Sequence, residues 1–88
     1  MIEIQHMLVL STAHLTDNTC NTFLPSYEGP VWQKSEYGYF VYVQDDDLYG
    51  DLPQDLIDCF EFARQYQCGW IMFDRDGPTV STLSEYEW

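Results

Sequence analysis

The apolar run Ile71-Met72-Phe73 leads straight into Asp74-Arg75-Asp76-Gly77. Two carboxylates one residue apart at a strand end can share a divalent cation. Far upstream, Ser11-Thr12-Ala13-His14 sets a hydroxyl and an imidazole three positions apart, the parts of a nucleophile and its base. A third group displays charge rather than reactivity. Asp45, Asp46, Asp47, Asp51, Asp55, Asp58 and Glu61 put seven carboxylates into seventeen positions with no Lys or Arg between them.

The Asp-x-Asp-Gly run resembles the opening motif of the haloacid-dehalogenase-type phosphotransferases. Those enzymes need a downstream Lys and further carboxylates to neutralise the transferring group. Beyond Asp76 the chain has twelve residues and no Lys or Arg, its one lysine, Lys34, lies upstream, and Pro78 stands where the motif wants Thr. The phosphotransferase reading therefore fails. What survives of this chemistry is a small metal-binding or metal-assisted hydrolytic site using His14, Asp74 and Asp76, although a hard cation needs more oxygens than two side chains provide. The simpler reading is a strand-end turn whose aspartates accept backbone N–H groups while Arg75 relieves their repulsion. Ser11 and His14 likewise lack an evident orienting acid and oxyanion hole. No cofactor is expected.

Charge excludes more than the motifs do. Fifteen Asp and Glu oppose Lys34, Arg64 and Arg75, for a formal net charge of -12. Such a field repels nucleic-acid phosphates and anionic lipid and attracts basic protein surfaces. The aromatic stretch Tyr37-Gly38-Tyr39-Phe40-Val41-Tyr42-Val43 has the composition of an RNA-stacking strand. Aligned on an RNA-recognition motif, however, it puts Glu36 where a cation belongs and Val43 where an aromatic belongs. Neither direct nucleic-acid binding nor membrane association is expected. With 45% hydrophobic and 17% aromatic residues in 88, the chain has the means to fold as a single domain over residues 1–88, burying about two thirds of its surface. The apolar run Met7 to Leu10 is too short for a signal peptide or span, so a soluble, cytoplasmic protein is expected. Three cysteines without CxxC spacing read as reduced, partly buried thiols.

The elements that must position these groups follow from periodicity. Ile2 to Ser11 turns continuously apolar, as a central strand buried on both faces does. Thr16 is the N-cap of a helix over 17–24 that stops before Pro25. Val31 to Lys34 and Tyr37 to Val43 form a hairpin. Pro53 opens a second helix whose inner face carries Leu56, Cys59, Phe60, Ala63 and Gln67, which turns Asp55, Asp58 and Glu61 to solvent and ends at Gly69. Trp70 to Phe73 is the last strand, and the tail offers Val80, Leu83, Tyr86 and Trp88 as anchors. The order βαββαβ predicts an α+β fold of the ferredoxin-like split βαβ type: a four-stranded antiparallel sheet with two helices on one face. In that topology β1 and β4 are antiparallel neighbours, which puts His14 and Asp74 at opposite ends of the sheet. Only a parallel pair would bring the two motifs together.

Ser11-Thr12-Ala13-His14, Glu36-Tyr37-Gly38-Tyr39-Phe40-Val41, Phe62-Ala63-Arg64 followed by Cys68, Asp74 to Pro78 and the closing Tyr86-Glu87-Trp88 together resemble an uncharacterised family of small acidic bacterial proteins. That family is a domain of unknown function found on plasmids, integrated elements and phages. The resemblance implies no reaction; it implies a setting in which small accessory proteins often inhibit host defence. The expected function is accordingly a non-enzymatic acidic protein-binding module, a nucleic-acid mimic directed at the basic surface of a nucleic-acid-binding host protein. Asp45, Asp46, Asp47, Asp51, Asp55, Asp58 and Glu61 are the expected contact residues.

Overall fold

A computed structural model describes residues 2–45, 47 and 49–88; Asp46, one of the expected contact residues, lies outside the described residues. Among the described residues four strands, β1 (Met7–Ser11), β2 (Val31–Lys34), β3 (Gly38–Tyr42) and β4 (Trp70–Asp74), form one sheet in the order β1-β4-β3-β2. Two helices, α1 (residues 17–26) and α2 (Gln54–Gln65), complete a small α+β fold. Leu10, Val41, Ile71 and Phe73 of the sheet share one core with Leu24 of α1 and with Leu56, Cys59, Phe60 and Ala63 of α2.

Thr16 caps α1 as the sequence predicts, its Oγ1 accepting the Thr19 N–H at 3.2 Å. The helix does not stop before Pro25. Proline lacks an N–H and its ring crowds the carbonyl four residues back, so an α-helix would break there. The turn over Thr19–Phe23 is instead widened to a π-helix, and the chain runs through Pro25 to Ser26. Ser26 Oγ then donates to the carbonyls of Thr22 and Phe23, 2.9 and 3.1 Å away, so neither is left bare. At the far end of α2 the left-handed residue is Gln67, φ 58°, rather than Gly69, and the Cys68 N–H closes the helix on the Ala63 carbonyl.

The sheet corrects the ferredoxin-like, all-antiparallel expectation. β1 runs parallel to β4, with Met7 beside Trp70 and Ser11 beside Asp74, while β3 is antiparallel to both β2 and β4. The cause lies in the segment between β3 and α2, residues 43–53. Extended, it can span about 36 Å, roughly twice the length of a five-residue strand. It leaves the Tyr42 end of the sheet, where the Val43 N–H meets the Gly69 carbonyl, and reaches the opposite end, where Asp55 binds the Thr16 N–H. α2 then brings the chain back, and β4 starts at the end where β3 finished. In the ferredoxin-like order the helix makes the crossing; here the loop makes it and the helix returns.

A second correction follows from the same order. β1 is an edge strand, not a central one, and covers Met7–Ser11 rather than Ile2–Ser11. Ile2 and Ile4 precede it, 87% and 76% exposed. The central strands are β4 and β3. β3 and β4 meet closely at Gly38: a Cβ there would stand 1.7 Å from the Phe73 carbonyl oxygen, so only glycine permits this approach.

Candidate functional site

The parallel β1–β4 pair puts Ser11-Thr12-Ala13-His14 and Asp74 to Gly77 at the same end of the sheet, against the expectation that they lie apart. Their side chains nevertheless serve the fold. Ser11 Oγ accepts the Ala13 N–H at 3.0 Å and caps the 3₁₀ turn Thr12–His14. His14 is 1% exposed, and both ring nitrogens are taken by backbone. Nδ1–H donates to the Ser84 carbonyl at 2.8 Å, and Nε2 accepts the Val80 N–H at 3.0 Å. This pairing requires the neutral Nδ1–H tautomer and leaves no lone pair for a metal or a substrate proton. The imidazole is a latch for the C-terminal tail. The Tyr86 N–H on the Ala13 carbonyl and the Trp88 indole N–H on the Leu15 carbonyl tie down the rest.

Asp74 is equally engaged. One oxygen accepts Lys34 Nζ at 2.5 Å and the other the Asp76 N–H at 2.9 Å. The Lys34 hydrogen bond first, and that backbone N–H second, hold its carboxyl below the ordinary range. The cation beside Asp74 is thus Lys34, while the Arg75 guanidinium lies 4.6 Å over the Tyr37 ring. Gly77 fits this turn against β1, since a Cβ there would meet the Leu10 carbonyl at 2.9 Å. Among the described residues no three His, Cys, Asp or Glu side chains converge to hold a cation.

The acidic tract divides. Asp47, Asp51, Asp58 and Glu61 are exposed, with Gln54 and Gln65 continuing the solvent stripe of α2. Asp45 is exposed but has Arg64 3.9 Å away, so a cation missing from the linear tract joins it in space. Asp55 is a correction. Expected on the solvent side, it is 7% exposed, and its carboxylate accepts the Thr16 N–H at 2.8 Å and the Thr19 hydroxyl at 2.9 Å. An acid from α2 thereby satisfies donors at the N-terminus of α1, where the helix dipole also favours negative charge. Phe62, seven positions along the same flank, is buried too and could have revealed that this side of α2 faces protein.

A further surface lies outside the expected contact residues. The sheet face away from the helices carries Met7, Trp70 and Tyr42 in one row and Val9, Met72, Phe40 and Trp32 in the next. Trp32 and Tyr42 pack on Trp70 with ring centroids 5.5 and 5.3 Å away. Trp32 is still 55% exposed, Tyr42 44% and Met7 43%. The Trp70 indole N–H donates to Gln5 at one end of this face, and Lys34 and Asp74 neutralise each other at the other.

The cysteines are free thiols. Burial, with Asp55 and Asp58 adding to it, pushes Cys59 up to about 12, and burial chiefly raises Cys20 as well, while Cys68 is only half-buried. A thiol reagent at mildly alkaline pH should therefore label Cys68 rapidly in the native protein, with Cys59 reacting only on unfolding. Mass spectrometry of the labelled peptides reads this directly; fast modification of Cys59 would mean that α2 is not packed as described.

Among the described residues no helix is long and apolar enough to cross a membrane. No curated protein and no solved structure matches the chain. Residues 7–88 match the family model described as "Family of unknown function (DUF5983) C-terminal domain".

Proposed function

We propose that this chain, which belongs to the DUF5983 family of unknown function, is a non-enzymatic acidic protein-binding module. Its target in this reading is the basic, nucleic-acid-binding surface of a host protein, and its biological role is that of an anti-defence inhibitor carried by a mobile element. The observation that carries the proposal is the exposed pair Asp58 and Glu61 on α2, with the exposed Asp51 and Asp47 in the loop before it. Asp58 and Glu61, three apart on α2, are like charges whose proximity costs about 0.2–0.5 kcal/mol. A cationic partner converts that cost into attraction and speeds encounter. The competing reading, a metal-assisted site at His14, Asp74 and Asp76, draws no support from an imidazole whose two nitrogens are both bonded to backbone.

The test is charge reversal confined to exposed positions. Asp51→Lys, Asp58→Lys and Glu61→Lys combined should weaken retention of the partner about tenfold or more, with an unchanged circular dichroism spectrum. An equal reversal at the exposed Glu3, Glu28 and Glu85 changes net charge identically and should have the smaller effect. Equal loss from both triples would mean that charge acts without a located site. Asp55 is left out because reversing a buried, hydrogen-bonded carboxylate would unfold the helix pair instead of testing a surface.

A further inference from the structure

The apolar sheet face lies opposite the helices and takes no part in the acidic stripe. Soluble domains seldom leave so large an apolar patch uncovered without a use for it. Of the side chains that share this face in register, only Lys34 and Asp74 are charged, and they are paired. In a chain of net charge -12 this is an electrically neutral island. A strongly basic partner would gain nothing from it, whereas a second, equally neutral and apolar face would match it. We propose that the face of Met7, Val9, Trp32, Phe40, Tyr42 and Trp70 packs against the same face of a second copy, giving a two-fold symmetric homodimer of stacked sheets.

Area and charge both fit that occupant. With large aromatics contributing on the order of 150–250 Å² each at full exposure, the half-exposed face offers roughly 500 Å². Ile4 of the N-terminal arm, 76% exposed, borders it in a groove shared with Glu3, Gln5 and Tyr42. Together they offer roughly 600 Å², the scale of a small interface beside the roughly 800 Å² per partner of a standard one. Two such sheets stack about 10 Å apart with their inner side chains interdigitating, as in a β-sandwich. The helix layers then lie outermost, which separates the two acidic stripes by roughly 40 Å, several times the ~8 Å screening length at physiological ionic strength. Repulsion between the two stripes is therefore largely screened, and the dimer displays one acidic stripe on each outer side.

Sedimentation equilibrium of the full chain, from micromolar to near-millimolar concentration, tests this. The expected result is a species of twice the 10.4 kDa chain mass, tightening as salt is raised because salt screens the remaining repulsion. Trp32→Lys and Met7→Lys, both at exposed positions on edge strands, should give monomers with the wild-type circular dichroism spectrum. Tyr66→Lys, at a 63% exposed aromatic beyond α2, adds the same charge and should leave the dimer intact. A wild-type monomer at the highest concentration would overturn the proposal, as would a dimer that persists in both face variants or one that Tyr66→Lys also dissociates. A monomer that captures a different protein through Trp32 would assign the face to that partner and equally overturn the dimer.

Discussion

Replacing Asp55 by alanine is expected to lower the stability of the fold by about 3 kcal/mol, which for a domain of this size shifts the melting temperature by roughly 10–20 °C. The carboxylate accepts from the Thr16 N–H and the Thr19 hydroxyl, and hydrogen bonds to a charged acceptor contribute about 1.5–3 kcal/mol each. Thr19 is 1% exposed, so its hydroxyl has no water to turn to once the acceptor is gone. Asp55→Asn should cost less, about half as much, because one carbonyl oxygen survives while the amide NH₂ is turned toward a donor. Asp58→Ala, on the exposed stripe of the same helix, should change stability by less than about 0.5 kcal/mol. Thermal melts of the three variants check the order; equal effects at Asp55 and Asp58 would mean that Asp55 is solvated after all.

The second large effect is expected at His14. His14→Ala removes a fully buried ring together with its two hydrogen bonds to the tail, and it leaves a cavity; about 3–4 kcal/mol should be lost. The distinctive readout is local. The Val80 amide, bonded to Nε2, should lose its protection against hydrogen exchange, and the tail beyond Pro78 should become sensitive to protease while α2 remains protected. His14→Asn, which is shorter and unable to reach both partners, should behave almost as badly. If the histidine were instead a catalytic or metal-binding group, its removal would leave the Val80 amide protected.

These two residues also show where the sequence was legible. The order of elements, the Thr16 cap, the hairpin and the buried stripe Leu56, Cys59, Phe60 and Ala63 were all readable from local pattern. Strand direction was not, because it depends on whether residues 43–53 or α2 makes the crossing, and periodicity within the elements does not carry that choice. The edge position of β1 was hidden for a different reason. Met7-Leu8-Val9-Leu10 is apolar on both faces, which normally signals a strand covered on both sides, yet here one face meets the helices and the other belongs to the uncovered aromatic sheet face. The same cause erased alternation in Trp70-Ile71-Met72-Phe73. Asp55 was misplaced because its spacing from Asp58 suggested a common solvent side, whereas its flank of α2 also carries the buried Phe62.

The central claim is that the surface around Asp51, Asp58 and Glu61 stands in for nucleic-acid phosphate. Competition tests it most directly: the protein is immobilised, loaded with whatever basic protein of its natural host it retains, and washed with short duplex DNA. The account predicts that duplex DNA releases the retained protein, because both ligands occupy one cationic surface, and that the triple lysine variant retains it about tenfold or more weakly. A partner that binds duplex DNA and this protein at the same time would contradict the claim.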